Sequence, residues 1–572
     1  MARRPAGVEV DVRRRVGNPK HTLSMAGSIH VPPKIAGPHP RSAVRPGLPR
    51  TAGCSINPVQ HEPACPCQAQ PVPLTVAPVP PAVIREPSLF RLLVAGGLGL
   101  AVFRIWCCVC FFPVQEWNDL RLRAAFLVAD GLPLYPGLGS GLITTWIYGP
   151  VLPLLLLPVT LVGHYDAALL AAAAENAFLL AGALAFACLC WPAPADSRWS
   201  VTARLGGLGV SLLLLPQTFF IFLQADNAAL AAGLVSLTCL ARAQSGGNRR
   251  WWWLAAGFAG VTAFSKLHGV ALLAGELGWV WLAGSRRQAV AYGWRLALAG
   301  GLGLLMTLRL SASPLAAWEM MIRIPSRLPF TTEWAARLQQ LAPSLALMIV
   351  LPGIFAGRAL ARDRPWSQAL ALPACAWLAS LPLGLAGALT AGGTNNSLHG
   401  AFFILPIALV EFFSHTFPSP VQGGRLAPRL ALGGLVVLFV FQAATLVRLP
   451  LRPRLDLPQQ AVAISARLGA HAWLPWRPLA TRFATGRQDH DEDGLHVRQL
   501  TSLFPRREHA RAGLPPAWDC TVLQATGMTW HIADTMLDGG FVPQQTGQWL
   551  VFSRPAADSG IGKPPATVHA PP

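Results

Sequence analysis

Two carboxylates three residues apart open a polar stretch that follows an apolar run, Gln115-Glu116-Trp117-Asn118-Asp119-Leu120-Arg121-Leu122-Arg123. At that spacing Glu116 and Asp119 share one face of a helix. A carboxylate at a water–lipid boundary can take a proton from an acceptor hydroxyl as general base. The same residues also describe a solvated amphipathic helix in which the two acids pair with Arg121 and Arg123. Three further polar segments interrupt the apolar sequence. Asp226, in Leu223-Gln224-Ala225-Asp226-Asn227, either caps the following helix or faces the same cavity as Glu116. Lys266, in Ser265-Lys266-Leu267-His268-Gly269, is the only lysine between residues 35 and 562 of a chain that otherwise uses arginine. As a point charge it suits a lipid phosphate or pyrophosphate, with His268 beside it; a snorkelling lysine reads the same way. The stretch Gly392–Gly400 is glycine-rich, and its backbone N–H groups with Asn395 and His399 could hold an anion or a sugar, or form a simple helix-entry turn. Residues 309–340 add Trp318, Glu319, Arg323, Arg327 and Trp334, a mixture that fits a sugar, a phosphate or interfacial anchoring.

The elements that must position these residues follow from composition. Of 572 residues 52% are hydrophobic and only 13% charged, against roughly 25% charged in a soluble domain. This excludes an ordinary cytosolic enzyme, a disordered regulator and a secreted disulfide scaffold. The net charge of +20 is not a nucleic-acid footprint, because much of the excess lies among the apolar runs, where basic residues set topology. Most cysteines fall in apolar runs and act as small hydrophobes, and Cys65-Pro66-Cys67 lacks the second pair that a metal site needs.

Residues 1–88 carry 17 of the 52 prolines and no apolar periodicity, which predicts a disordered, cytoplasmic Pro/Arg-rich tail. The arginines at 3–4 and 13–15 lead into no apolar stretch, so no signal peptide is read. From residue 89 to 448 the sequence predicts an all-α polytopic bundle of about 11 transmembrane helices. The runs lie at about 90–112, 167–190, 205–222, 227–243, 252–265, 270–284, 290–308, 341–357, 367–386, 401–416 and 430–448. Several are shorter than the ~20 residues that cross ~30 Å of hydrocarbon, as is tolerated inside a bundle or beside a water-filled cavity. Loops 191–204, 242–250, 285–287, 358–364 and 424–429 hold 12 Lys+Arg in 39 residues, and the alternate loops hold 7 in about three times that length. That bias puts the arginine-rich loops inside and residues 113–166 outside. It also makes Thr145–Gly163, with Pro150, Pro153 and Pro158, a juxtamembrane or re-entrant segment, since a span there would invert every later loop. Glu175, Glu276 and Glu411 lie within apolar runs, with no charged partner evident at helical spacing, and are functional candidates by cost alone. Residues 449–572 predict a small extracytoplasmic α/β domain.

The order of the polar loops resembles the GT-C superfamily of integral-membrane glycosyltransferases, which use polyprenyl-phosphate sugars and include protein mannosyltransferases and the lipid A aminoarabinose transferase. Glu116, Ala124 and Gly131 stand in E-x7-A-x6-G, followed by Leu132-Pro133-Leu134-Tyr135-Pro136 and Tyr148-Gly149-Pro150. Asp226 matches the second acidic position, Lys266 the lysine between two short helices, and Thr394–His399 the segment entering a late span. Trp473-Leu474-Pro475-Trp476-Arg477-Pro478-Leu479 and the acidic stretch to Glu492 are similar to outer domains of some members. The resemblance implies an inner-membrane enzyme acting on the outer face. The donor would be a polyprenyl-phosphate sugar and the acceptor a glycolipid, polysaccharide or protein of the cell envelope. Together with the residue chemistry it casts Glu116 or Asp119 as base, Asp226 as the carboxylate that orients the acceptor or completes the acid pair, and Lys266, His268, Arg323, Asn395, His399 and Tyr148 as substrate-binding groups. No cofactor is indicated. A divalent metal is possible but unsupported, because Glu-Trp-Asn-Asp replaces the usual D-E or D-x-D. A transporter of lipid-linked sugars would need internal repeats or mid-membrane breaks, and the polar residues instead cluster at one face. A non-catalytic scaffold presenting the C-terminal region is the other alternative.

Overall fold

The structure, a computed structural model, describes residues 88–139, 141–193, 200–332, 334–360, 366–417, 426–503, 507–524 and 541–553. The tail 1–87, with Cys65 and Cys67, lies outside the described residues.

Every apolar run is helical, as lipid requires of a backbone that must satisfy its own polar groups. In chain order the bundle comprises α1 (Ser88–Phe111), α4 (Tyr165–Cys190), α5 (Val201–Leu214), α6 (Thr218–Ile221), α7 (Ala225–Gln244), α8 (Arg250–Ser265), α9 (Val270–Ala283), α10 (Arg286–Arg309), α12 (Trp334–Leu345), α13 (Leu351–Leu360), α14 (Trp366–Leu389), α15 (Ala401–Thr416) and α16 (Leu426–Leu446). Between them lie α2 (Glu116–Ala129), α3 (Val151–Leu155) and α11 (Pro314–Trp318). Local chemistry sets the boundaries. Ser200 caps α5, and Ser285 with Gln288 forms a capping box at α10. Pro216 follows the end of α5, separating it from the single turn of α6. Among the described residues, six helical stretches are long and apolar enough to cross a bilayer: Ser88–Val114, Tyr165–Cys190, Arg286–Arg309, Leu341–Ala359, Ala369–Leu389 and Pro428–Leu446. Val201–Leu214, Leu267–Ala283 and Ala401–Thr416 are shorter apolar helices. Helices α7 and α15 are buried along most of their length and form the centre of the bundle, whereas α10 and α16 turn Leu302, Leu305, Val437 and Val440 outward.

Thr145–Gly163 contains only α3 and a 3-10 turn, Leu157–Leu161. Five helical residues rise about 7.5 Å, far short of a crossing. Both turns pack along α2.

Beyond the bundle, α17 (Asp456–Leu468), α18 (Pro478–Thr485), α19 (Glu492–Leu500) and α20 (Arg507–Ala512) accompany a four-stranded sheet of order β1-β2-β4-β3. Strand β1 (Ala472–Trp473) is parallel to β2 (Cys520–Gln524), with Ala472 opposite Cys520, while β4 (Trp549–Ser553) runs antiparallel to both β2 and β3 (Val542–Thr546). The described residues of this segment share a core with the first loop of the bundle. Leu474, Leu479, Val522 and Trp549 join Phe126, Trp146, Tyr165 and Leu169 in one hydrophobic cluster. The segment is thereby welded to the first loop and the start of α4.

The glutamates within apolar runs are locally satisfied or partly exposed. Glu276 accepts from Ser236 at 2.6 Å and Tyr292 at 2.7 Å, and Glu175 is half-buried. Glu411, contrary to the expectation of no charged partner at helical spacing, has His415 one turn on at 3.0 Å. None of the three contributes to the cluster described next.

Candidate functional site

The Tyr148-Gly149-Pro150 segment docks on the C-terminal end of α8. Gly149 N–H donates to the Ser265 carbonyl at 3.2 Å. A Cβ on Gly149 would lie 1.5 Å from the Phe264 oxygen, so only glycine permits the approach. Trp146 Nε1 donates to the Gly149 carbonyl, and the Tyr135 hydroxyl to that of Tyr148. The result fixes the Tyr148 ring beside the residue that ends α8, which is Lys266. The ammonium stands 5.8 Å from the ring centroid.

Asp226, just outside the apolar stretch 227–243, is the hub. Lys266 Nζ donates to both its carboxylate oxygens, at 2.8 and 3.0 Å. Asn396 Nδ2 donates at 2.9 Å, and His399 Nδ1 lies 3.2 Å from Oδ1. The other neighbour of Nδ1 is the Asn396 carbonyl, also 3.2 Å away. Two acceptors around Nδ1 place the proton there. Burial opposes charge on Asp226, but Lys266 and His399 together hold its carboxylate below the ordinary range. His268 is electrostatically coupled to Asp226, Lys266 and His399, and its ring occupies the space a Cβ on Gly387 would need, 2.3 Å away.

The two carboxylates of α2 differ. Asp119 is fully buried; it accepts from the Tyr165 hydroxyl and, at 2.9 Å, from the backbone N–H of Leu479. Burial pushes its carboxyl up to about 6, against the pull of Arg477. Glu116 opens α2 at 8% exposure, and the charge of Arg477 reaches it. Arg477 itself donates to the carbonyls of Pro113 at 3.0 Å and Val114 at 2.7 Å, bracketing the turn before Glu116.

Arg477 belongs to a wider clamp. Asp491 accepts from Arg123 at 3.0 Å, Thr145 N–H at 3.1 Å and Gly494 N–H at 2.6 Å. His490 Nδ1 accepts from Ile143 N–H at 3.0 Å, so its proton sits on Nε2. Burial lowers His490 to about 3. Arg498 donates to the Thr144 carbonyl at 3.2 Å. Residues 477–498 therefore hold both ends of the loop that carries Glu116 and Tyr148.

The structure thus brings Asp226, Lys266, His399, His268 and Tyr148 together. Two anticipated residues stay apart. Arg323 pairs with Glu319 at 3.1 Å with its side chain 40% exposed, and Asn395 donates to Ser344 Oγ at 3.0 Å. The neighbouring Asn396 is the one that reaches Asp226, because a 3-10 turn at Asn395–Leu398 directs adjacent side chains apart. Arg121 is a further member of the site, beyond the ion-pair partner its position suggests. Its guanidinium lies over Tyr148 at 4.9 Å and Trp117 at 5.4 Å, and the charge of Asp493 reaches it. Trp117 four residues before it, on the same helix face, was the available signal.

No family model matches the sequence, and no curated sequence is significantly similar to it. Among solved structures, the chain is similar to ArnT from Cupriavidus metallidurans in the apo state, with a TM-score of 0.47 and 13% identity, over 82% of this chain and 98% of that one.

Proposed function

We propose that this protein is a membrane glycosyltransferase that moves a sugar from a polyprenyl-phosphate donor to a hydroxyl of a cell-envelope acceptor on the outer face of the inner membrane. The observation that carries the reading is the Asp226 cluster. Residues 148, 226, 266, 396 and 399, scattered through the chain, gather around one carboxylate–ammonium pair at the end of α8 opposite Arg249 and Arg250.

The chemistry follows from the wiring. Asp226 is spoken for: its oxygens hold Lys266, Asn396 and His399. It orients the ammonium rather than acting as base. Lys266, with Arg121 sharing the Tyr148 ring, supplies positive charge to a departing lipid phosphate. Asp119 is engaged by Tyr165 and Leu479; of the α2 pair we assign Glu116, at the opening of the helix beside the charge of Arg477, as the general base. Glu116 takes the acceptor proton as the hydroxyl oxygen attacks C1. The C1–phosphate bond breaks with inversion, and its electron pair leaves on the phosphate. The prenyl tail enters sideways from the bilayer past the short helices.

The test is mass spectrometry of lipid-linked glycans and envelope polysaccharides with and without the protein. Loss of one sugar from an envelope polymer, with accumulation of its lipid-phosphate donor, supports the proposal. An unchanged glycan profile with an altered sidedness of the donor lipid identifies a flippase instead and overturns it.

A further inference from the structure

The far end of α8 carries a second concentration of charge that the proposed reaction does not use. It lies about 24 Å of helix from Lys266. Arg249 and Arg250 start α8, and Arg286 and Arg287 start α10. Between Asp226 and Glu319 the sequence has one acidic residue, Glu276, and it is taken by Ser236 and Tyr292. These arginines therefore have no carboxylate from their own part of the chain.

Arg295 stands among them in an unusual state. It is 8% exposed. One Nη donates to the Ala291 carbonyl, one turn toward the arginine-rich end, as the N-terminal tilt of helical side chains directs. Its Nε is buried with no protein acceptor. The Trp253 ring lies 5.0 Å from its guanidinium carbon, and Trp253 meets Trp294 edge-on at 5.5 Å. Both indoles are exposed on the outer surface of the bundle. Arg249 is near enough for its like charge to act on Arg295. Two mutually repelling guanidiniums, one with a buried N–H and no acceptor, call for an anion between them. The depth limits which anion. Arg295 lies about 13 Å up α10 from its arginine-rich start, and its head reaches back one turn. That brings the head toward Arg249 at the start of α8, near the boundary that indoles favour.

We infer that Arg249 and Arg295, framed by Trp253 and Trp294, bind the phosphodiester headgroup of an anionic phospholipid in the leaflet that faces the arginine-rich loops. The phosphate oxygens accept from the Arg295 Nη that the Ala291 carbonyl does not hold and from the Arg249 guanidinium, and the indoles pack along the glycerol and upper acyl chains. This lipid is structural, and its site does not depend on the glycosyltransferase reading.

The experiment uses the full chain purified in mild detergent and titrated with phosphatidylglycerol, phosphatidylcholine or soluble glycerol 3-phosphate. Native mass spectrometry and thermal unfolding are the readouts. Phosphatidylglycerol is expected to be retained in preference to phosphatidylcholine and to raise the melting temperature. Arg249→Gln and Arg295→Gln are each expected to weaken retention roughly fivefold, with glycerol 3-phosphate without effect. Equal retention of both lipids, or full retention by the double variant, overturns the inference. So does stabilisation by glycerol 3-phosphate alone, which marks a soluble-anion site. Should Arg295→Gln fail to fold, the exposed Arg249→Gln and quenching by brominated phosphatidylglycerol decide. The quenched fraction lost in Trp253→Phe must exceed that seen with brominated phosphatidylcholine.

Discussion

At the Asp226 cluster a single carboxylate is surrounded by donors: an ammonium from one loop, and an amide and an imidazole from another. Around residues 477–498 the balance is reversed. Asp489, Asp491, Glu492 and Asp493 crowd within five residues and meet Arg123, Arg121 and backbone N–H groups. Burial of both regions is similar, but their electrostatics differ in sign. Asp226 is held below the ordinary carboxylate range. Burial pushes Asp119 up to about 6 and Asp493 up to about 7, the latter with Asp491 and Glu492 adding to the rise and Arg121 opposing it. The difference separates a fixed charge, suited to aligning Lys266 for a substrate, from a set of acids that fasten one segment to another.

The largest effect that would sharpen this contrast is chemical. Lys266→Ala should lower the rate of sugar transfer per folded molecule by about 10²–10³-fold, measured in proteoliposomes with a lipid-phosphate donor. Asp226→Asn should lose nearly as much, because the ammonium then has one charge-bearing partner fewer. A rate near wild type in both variants would break the distinction between the two regions. Next comes the clamp. Arg123→Ala leaves Asp491 buried without its ion-pair partner, a loss of about 3–5 kcal/mol. It should appear as a lower melting temperature and faster proteolysis of the C-terminal segment.

Acidity sets a third, smaller effect, with opposite signs in the two regions. The depressed Asp226 contributes stability that is present above about pH 4 and is lost as the pH falls further. The raised Asp119 and Asp493 contribute fully below about pH 4, and that contribution is lost as the pH rises through about 6 and 7. Proteolysis of the C-terminal segment should therefore quicken between pH 5 and 8, and Asp119→Asn should flatten the lower part of that rise. The smallest effects belong to the residues the fold leaves outside. Arg323→Gln and Asn395→Ala should change transfer by less than about threefold, and a large loss in either would enlarge the site.

What the sequence made legible follows the range of the interaction. Helix at each apolar run, and the failure of Thr145–Gly163 to form a long helix, are consequences of hydropathy and of Pro150, Pro153 and Pro158. Lys266 stood out because the chain almost never uses lysine. The partnership of Asp226 with Asn396 and His399 was less visible, because it joins positions about 170 residues apart, and no local periodicity separates Asn395 from Asn396. Least visible was the shared core of the C-terminal segment and the first loop. Its strands are short and its apolar residues pass for an independent core until Trp549 and Leu479 are seen against Phe126 and Tyr165. The same blindness affects Glu116 and Asp119. Their helical spacing puts them on one face but says nothing of Leu479, whose backbone N–H claims Asp119.

The most direct test is therefore a paired one on α2, comparing Glu116→Gln with Asp119→Ala for both transfer rate and melting temperature in the same proteoliposomes. Glu116→Gln is expected to lose about 10²–10⁴-fold in rate at an unchanged melting temperature. Asp119→Ala, which strips the acceptor from Tyr165 and Leu479 N–H, is expected to melt lower while its folded fraction retains transfer. The reverse pattern, an inactive but fully stable Asp119→Ala beside an active Glu116→Gln, would contradict the division between a reacting and a fastening carboxylate.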